Sequence, residues 1–199
     1  MLSYNNLSLQ FHSRWVFQNL SGSFKEREFV GIMGPNGSGK SSYLKCLAGL
    51  LKPNLGYVYW NEKILESYSI EDLSRIRAYG AGDMNCIWDL KVEDLLQMSK
   101  KHSLQKIEEI LTRVKAPFLL GKKFSHLSSG EKSLVSLSLI LLQETPFIML
   151  DEITASLDEF YAHHVMELLC QETEKGKTVI TILHDKQLAE RYCHRVILF

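Results

Sequence analysis

The sequence is poor in cysteine, and its four cysteines lie far apart. Cys46, Cys86, Cys170 and Cys193 include no closely spaced pair of the kind that zinc sites and redox motifs need. We therefore exclude a zinc-binding module and a dithiol redox module, and we expect reduced thiols in the cytosol. Internal repeats and low-complexity tracts are also missing, which disfavours a solenoid or a disordered linker protein.

An excess of charge and a long apolar run are absent as well. Lys plus Arg and Asp plus Glu each number 23, so no global field draws nucleic acid or an anionic membrane surface, and we expect no direct nucleic-acid contact. The longest apolar-leaning stretch, residues 134–142, contains serines and has about half the length of a membrane span. No basic stretch precedes an apolar core near the first residue, as it does in a secretory signal. We predict a cytoplasmic chain that does not cross a membrane by itself.

What the sequence does contain is an alternation of strand-like and helix-like segments, typical of an α/β domain. Its 199 residues suffice for one well-packed domain and are few for two, so we predict a single domain over residues 1–199. Strands are predicted at residues 7–11, 16–24, 28–33, 57–60, 147–150, 178–183 and 195–199. Helices are predicted at residues 41–51, after residue 128, from about residue 156 and briefly after residue 184.

Residues 92–114 differ in character from the rest of the chain. Leu104, Ile107, Leu111 and Val114 recur at helical spacing, while Lys, Gln and Glu fill the other face. This pattern indicates a small helical insert, which we place at about residues 90–135.

Residues 34–41, GPNGSGKS, fit the pattern G-x-x-x-x-G-K-[ST] between a predicted strand and a predicted helix, the context of a phosphate-binding P-loop. Its glycines let backbone N–H groups surround phosphate oxygens, Lys40 supplies a cation for the terminal phosphates, and Ser41 can ligate Mg²⁺. The alternative, a glycine-rich turn before a lysine-containing helix, is disfavoured by the flanking elements. The candidate phosphate-binding residues are Gly34, Pro35, Asn36, Gly37, Ser38, Gly39, Lys40, Ser41 and Ser42.

Residues 147–152, FIMLDE, are four apolar residues followed by two carboxylates. A strand buried on both faces that ends in Asp151 places this carboxylate at the sheet edge, where it can hold Mg²⁺. Glu152 is then the candidate general base for a water that attacks a γ-phosphate. In a chain without other motifs, an apolar strand that ends in two carboxylates usually leads into an ordinary polar turn. In a chain that also contains a P-loop, the same pattern favours a catalytic site.

His184 follows the predicted strand 178–183 and points to the same edge of the sheet. Its imidazole could contact the γ-phosphate or order the attacking water. The alternative is an ordinary loop histidine, which is the interpretation we give to the other six: His12, His102, His126, His163, His164 and His194.

Residues 127–132, LSSGEK, precede a long apolar run and predict the start of a helix. Ser128 and Glu131 have the spacing of a capping box, in which each side chain satisfies the other's backbone N–H. That box explains two of the six residues. Ser129 and Gly130 between them are small enough to let a ligand approach the positive end of the helix.

Together these motifs resemble the ATP-binding-cassette (ABC) nucleotide-binding subunits over nearly the whole chain. Residues 34–41 are similar to the Walker A motif, residues 147–152 to Walker B with its catalytic glutamate, and residues 127–131 to the LSGGQ signature. The resemblance implies a P-loop NTPase core of mostly parallel sheet flanked by helices, with an N-terminal antiparallel β subdomain. It also implies ATP and Mg²⁺ as cofactors.

Further positions match the family one by one. Residues 155–158 resemble the D-loop with Asp158, and His184 resembles the switch histidine. Phe11 matches the aromatic position that stacks on adenine. The resemblance implies catalytic roles for Lys40, Glu152 and His184. It also implies that Ser41 and Asp151 bind Mg²⁺.

The signature implies a dimer. In the family two subunits sandwich two nucleotides head to tail, so Ser128, Ser129, Gly130 and Glu131 of one chain would contact ATP held by the P-loop of the other. Here Ser129 replaces the first signature glycine and Glu131 the glutamine, changes that some members tolerate.

Two other positions depart from the family. Ile153 stands where proline usually follows the Walker B glutamate, which should loosen a stiff turn. Gly82 stands where a glutamine normally reaches Mg²⁺, and no glutamine occurs in residues 79–93. Asp83 is the nearest side chain that could substitute as a metal ligand.

The resemblance implies an ATP-hydrolysing subunit that powers transport of a substrate across a membrane. ATP would close a homodimer or heterodimer of cassettes, bound peripherally on the cytoplasmic face of the inner membrane to separate transmembrane permease subunits. The compact chain resembles the haem-exporter subunit, whereas residues 73–79, LSRIRAY, resemble the iron-chelate and vitamin B12 importers. The alternatives are a soluble ABC ATPase that remodels a nucleic-acid or protein complex, and a degenerate cassette that regulates a partner without turnover.

Overall fold

The computed structural model describes residues 1–82, 90–98 and 102–199. Within them the chain forms two β-sheets with helices packed on them, which confirms the predicted mixed α/β fold. The strands are β1 (Leu2–Phe11), β2 (Arg14–Phe24), β3 (Phe29–Met33), β4 (Leu55–Trp60), β5 (Lys63–Ile64), β6 (Arg77–Ala81), β7 (Phe147–Asp151), β8 (Thr178–Ile182) and β9 (Arg195–Leu198). The α-helices are α1 (Lys40–Leu47), α2 (Ile70–Ile76), α3 (Val92–Gln97), α4 (Leu104–Arg113), α5 (Ser129–Leu142), α6 (Glu159–Glu174) and α7 (Lys186–Tyr192).

The N-terminal strands build an antiparallel sheet in the order β2–β1–β4–β5. Buried side chains of β1, among them Leu2, Leu7 and Leu9, join Tyr43 and Leu44 of α1 in one hydrophobic cluster. Burial of this apolar surface holds the sheet against the helix that follows the P-loop. The N-terminal strands therefore stand beside the predicted phosphate-binding loop.

The second sheet is parallel throughout, in the order β6–β7–β8–β3–β9. Side chains of β7 point alternately to the two faces of this sheet, and both faces are buried. Phe147 and Met149 join the hydrophobic cluster around α1, whereas Ile148 and Leu150 join a second cluster that contains residues of α5 and α6. Because the strands run in one direction, their carboxyl ends meet at one edge. The loops after β3, β7 and β8 carry the candidate residues that the sequence identified, and they lie at this edge.

In residues 92–114, where the sequence indicated helices of the insert, the described part of the chain contains α3 and α4. Ile107 and Leu111 of α4 are buried in the cluster that includes α5. Arg113 of α4 forms an ion pair with Glu172 of α6. Burial alone would raise the pKa of Glu172, but hydrogen bonds from Lys175, Lys177 and Arg113 outweigh burial and lower the pKa to about 2. The Glu172 carboxylate thus connects the predicted insert to helix α6. The limits of the insert, at about residues 90–135, stay a prediction.

Several predicted boundaries were wrong. The helix expected from about residue 156 begins at Glu159, because Asp158 is its N-cap and accepts a hydrogen bond from the Tyr161 N–H. The helix expected over residues 41–51 ends at Leu47, just before Gly49, which has a left-handed φ of 68°. Helix α2 was not predicted, although its N-cap Ser69 accepts from the Asp72 N–H.

None of the helices in the described part of the chain has the length and apolar character that crossing a bilayer requires.

Candidate active site

The glycine-rich loop that we predicted to bind phosphate lies between the end of β3 at Met33 and the start of α1 at Lys40, as the sequence indicated. Gly39 precedes the helix with a left-handed φ of 102°, and a Cβ there would lie 2.5 Å from Val16 Cγ1. Both the backbone conformation and the packing therefore require glycine at this position. Gly37 is also left-handed, at φ 77°, and no described atom lies within 4 Å of the position of a Cβ on it.

Lys40 is held inside this loop and is only 4% exposed. Its Nζ donates hydrogen bonds to the carbonyl oxygens of Gly34 at 3.0 Å and Pro35 at 2.9 Å. Carbonyl groups orient the ammonium without neutralising it, so its charge is available to an anion in the loop. Among the described residues the buried Ser38 hydroxyl has no hydrogen-bond partner, and a phosphate oxygen would supply one.

Asp151, at the carboxyl end of β7, is 8% exposed and accepts two hydrogen bonds. Ser41 Oγ donates to Oδ1 at 2.9 Å, and the Tyr79 hydroxyl donates to Oδ2 at 2.8 Å. A carboxylate beside a serine hydroxyl supplies the hard oxygen atoms that Mg²⁺ binds together with nucleotide phosphates. In the described residues no group of three or more His, Cys, Asp or Glu could hold a metal ion.

Glu152 and His184 meet at the same edge of the sheet. Glu152 Oε1 lies 2.7 Å from His184 Nε2, and both side chains are partly open to solvent, at 40% and 39%. Glu152 has a left-handed φ of 55°, which is uncommon outside glycine and concentrates at functional sites. Ile153, which stands where the family usually has proline, is fully buried in the core, and a looser turn there stays a prediction.

A cavity of about 410 Å³ brings the P-loop together with Phe11 and Glu152. Its lining residues are Phe11, Val16, Asn36, Gly37, Gly39, Lys40, Ser41, Ser42 and Glu152. The Phe11 side chain is 49% exposed, which leaves its ring accessible to a base or another flat group. Within the described chain, residues 128–131 do not contribute to this lining.

The signature segment forms the predicted capping box at the start of α5. Ser128 Oγ accepts from the Glu131 N–H, and Glu131 Oε2 accepts from the Ser128 N–H. A hydrogen bond from Lys122 and the one from the Ser128 backbone lower the pKa of Glu131. A Cβ on Gly130 would lie 2.9 Å from the Ser156 carbonyl oxygen. Contact with the D-loop segment, and not only access for a ligand, therefore requires a small residue here.

Gly82, the main departure from the family, is enclosed by neighbouring backbone and side-chain groups. Its N–H donates to the Asp151 carbonyl oxygen at 3.0 Å, and its own carbonyl oxygen accepts from Ser133 Oγ at 3.0 Å. A Cβ at position 82 would lie 2.6 Å from the Glu152 carbonyl oxygen. The loop therefore excludes the usual glutamine sterically. Asp83, the predicted substitute ligand, lies outside the described residues.

Gly82→Gln is expected to impair this protein, although it introduces the residue that the family usually carries. The new Cβ would press on the backbone of Glu152, and overpacking of this kind typically costs about 1–3 kcal/mol. Thermal unfolding should show a lower Tm, and the ATPase rate should fall. Gly82→Ala, which adds the Cβ alone, should reproduce most of the loss. A glutamine variant as stable as the wild type and faster would show that this position tolerates a side chain.

Sequence reasoning missed two features of the site. Tyr79 was noted only as part of a family-like segment, and its contact with Asp151 needs β6 to lie next to β7, which local sequence does not reveal. Ser133 and Ser156 were not singled out, yet their hydroxyls lie 2.8 Å apart and join α5 to the D-loop segment. Ser133 gave no local signal, because serines within an apolar helix are common. Ser156 lies in the segment that resembles the D-loop, and its contact with α5 depends on tertiary packing.

Comparison with known proteins gives the same picture. The sequence model of a family described as ABC transporter matches residues 17–155. The hemin import ATP-binding protein HmuV of Pseudoalteromonas translucida is 31% identical over 215 residues, which cover 100% of this chain and 82% of HmuV. HmuV of Escherichia coli O157:H7 is 32% identical over 210 residues, with the same two coverages.

Solved structures agree in fold. The dimeric post-hydrolysis structure of the ATP-binding cassette MJ0796, bound to ADP and Pi, matches with a TM-score of 0.87 at 26% identity, covering 100% of this chain and 94% of that one. CbiO1 of Clostridium perfringens, part of the ABC transporter complex CbiONQ, matches with a TM-score of 0.82 at 26% identity, covering 99% and 83%.

Proposed function

This chain belongs to the ABC transporter family, and from that premise we propose how its site works. The chain is an ATP-binding, ATP-hydrolysing subunit that powers transport together with a separate membrane partner. This function is favoured over the soluble remodelling ATPase and the regulatory cassette. The proposal is that ATP binding closes a pair of cassettes and that loss of the γ-phosphate lets them open.

The contact between Glu152 and His184 beside the P-loop cavity is the observation that carries the catalytic proposal. Glu152 acts as the general base that orients a water and accepts its proton as the water attacks the γ-phosphate. His184 holds the Glu152 carboxylate in place and contacts the γ-phosphate. Lys40 leaves its carbonyl partners to bind the terminal phosphates, where its charge offsets the charge of the transition state.

Nucleotide binding is proposed to use the lining of the same cavity. Residues 34–42 surround the phosphates with backbone N–H groups, Ser38 gains a partner for its buried hydroxyl, and the Phe11 ring stacks on adenine. Ser41 and Asp151 are the residues that would hold Mg²⁺, which when bound neutralises charge on the phosphates.

The signature is proposed to act across a dimer. Ser128, Ser129, Gly130 and Glu131 stand at the N-terminus of a 14-residue helix, where backbone N–H groups and the helix dipole favour an anion. They are absent from the lining of the described P-loop cavity, which supports contact with the ATP of a second subunit. Asp158 lies in the D-loop beside them and completes the interface. The dimeric structure of MJ0796 with ADP and Pi supports this arrangement.

For the transport step we propose import, with the chain peripheral on the cytoplasmic face of the membrane. The relatives in both organisms are named for hemin import, so haem or a similar iron chelate is the proposed cargo. The permease would be a separate multi-span chain, as CbiO1 is part of a complex with other chains.

Purification from native membranes tests the transport assignment. A tagged chain, extracted with a mild detergent, should bring down a multi-span membrane protein in stoichiometric amount, and hemin should stimulate the ATPase of that complex. A mock purification from untagged cells is the control. A soluble complex or nucleic acid in place of a membrane protein would contradict the proposal and restore the remodelling alternative.

A further inference from the structure

We propose that Tyr79 is a positioning residue that holds the Asp151 carboxylate in the orientation needed for Mg²⁺. The inference rests on the magnesium role proposed above for Asp151. The Tyr79 hydroxyl donates to Oδ2 at 2.8 Å, while Ser41 Oγ donates to Oδ1 at 2.9 Å. Each carboxylate oxygen is therefore oriented by a different element, β6 on one side and α1 on the other.

The pairing of β6 with β7 explains why a tyrosine reaches this carboxylate. Ala81 stands opposite Asp151, and Tyr79 stands opposite Met149, so all four side chains share one face of the sheet. Ala81 is too short to fill the space beside Asp151. Tyr79, two residues earlier on the same face, is long enough to place its hydroxyl there. A phenylalanine would fill the same space without donating a hydrogen bond.

The hydrogen bond matters because Asp151 is nearly buried. A carboxylate that is 8% exposed depends on protein donors, and hydrogen bonds to a charged acceptor are stronger than neutral ones. The Ser41 hydroxyl donates a hydrogen bond to Asp151 and is also a proposed metal ligand. With Mg²⁺ bound, the hydrogen bond from Tyr79 to Oδ2 would keep the carboxylate from rotating.

The same inference bears on the missing glutamine side chain at Gly82. The family's glutamine supports the metal from the loop after this strand, but here a Cβ would lie 2.6 Å from the Glu152 carbonyl oxygen. Tyr79 supplies a polar group to Asp151 from within β6 itself, three residues before that loop position. The hydrogen bond to Asp151 from this side of the site thus comes from strand β6 and not from the loop that follows it.

Tyr79→Phe tests the inference, with Tyr68→Phe as the matched control. Tyr68 also donates one hydroxyl hydrogen bond, to the Trp60 carbonyl oxygen at 3.1 Å, and lies between β5 and α2. Calorimetry would measure binding of a non-hydrolysable ATP analogue in EDTA and during a Mg²⁺ titration. We expect Tyr79→Phe to bind the analogue normally in EDTA and to need about tenfold more Mg²⁺ for half-maximal tightening. The control should match the wild type in both conditions.

Other outcomes separate the inference from its premise. An unchanged Mg²⁺ requirement in Tyr79→Phe would overturn the positioning role while leaving Asp151 as a metal ligand. An equal loss of affinity in EDTA and in Mg²⁺ would also overturn it, because the hydroxyl would then support the phosphate loop in general. A wild-type chain that binds the analogue equally well in EDTA and in Mg²⁺ would remove the magnesium role itself.

Discussion

Glu152→Gln is expected to lower ATP hydrolysis by about 10²- to 10⁴-fold while leaving ATP binding intact. Glutamine has the size of glutamate, and its amide can still contact His184, but it cannot accept the proton of the attacking water. The γ-phosphate would then stay in place between two cassettes. Light scattering in millimolar ATP and Mg²⁺ should therefore detect a stable dimer that the wild type forms only transiently.

Glu174→Gln is the matched control, since it removes an exposed carboxylate at the end of α6. This variant should hydrolyse ATP at the wild-type rate and should show no trapped dimer. If Glu152→Gln hydrolyses ATP normally, another residue is the base. A slow variant that stays monomeric in ATP would contradict the proposed closure of this chain with a second copy of itself.

Lys40→Ala is expected to abolish measurable hydrolysis and to weaken ATP binding by about 10- to 100-fold. A hydrogen bond to a charged group contributes about 1.5–3 kcal/mol, and alanine also removes the positive charge that faces the phosphates. The carbonyl groups of Gly34 and Pro35 lose their donor as well, so the loop becomes less ordered. Titration with a fluorescent ATP analogue would measure the change in Kd.

Lys45→Ala provides the comparison, because Lys45 lies on the same helix with an exposed side chain. It should bind ATP as the wild type does. Unchanged affinity in Lys40→Ala would mean that backbone N–H groups alone bind the phosphates. The two catalytic variants also differ from each other: Glu152→Gln should form an ATP-dependent dimer, and Lys40→Ala should not.

The sequence by itself determined the local features of this protein. The P-loop, the capping box of Ser128 and Glu131, and the apolar strand ending in Asp151 are each encoded in consecutive residues, and the structure has all three. Their conformations depend on neighbours in the chain, such as a glycine that permits a left-handed φ or a serine that caps a helix. Their order along the chain was enough to identify the family.

Only the tertiary structure decided which distant groups meet. Tyr79 and Asp151 are 72 residues apart and touch because β6 pairs with β7. The sequence predicted Glu152 and His184 at one edge of the sheet, and the pairing of β7 with β8 brings these two side chains into contact. In the sequence Gly82 was only a departure from the family's glutamine, whereas in the structure a Cβ at this position would lie 2.6 Å from the Glu152 carbonyl oxygen. Strand pairing and close packing fix these contacts, and neither can be read from residues that are neighbours only in sequence.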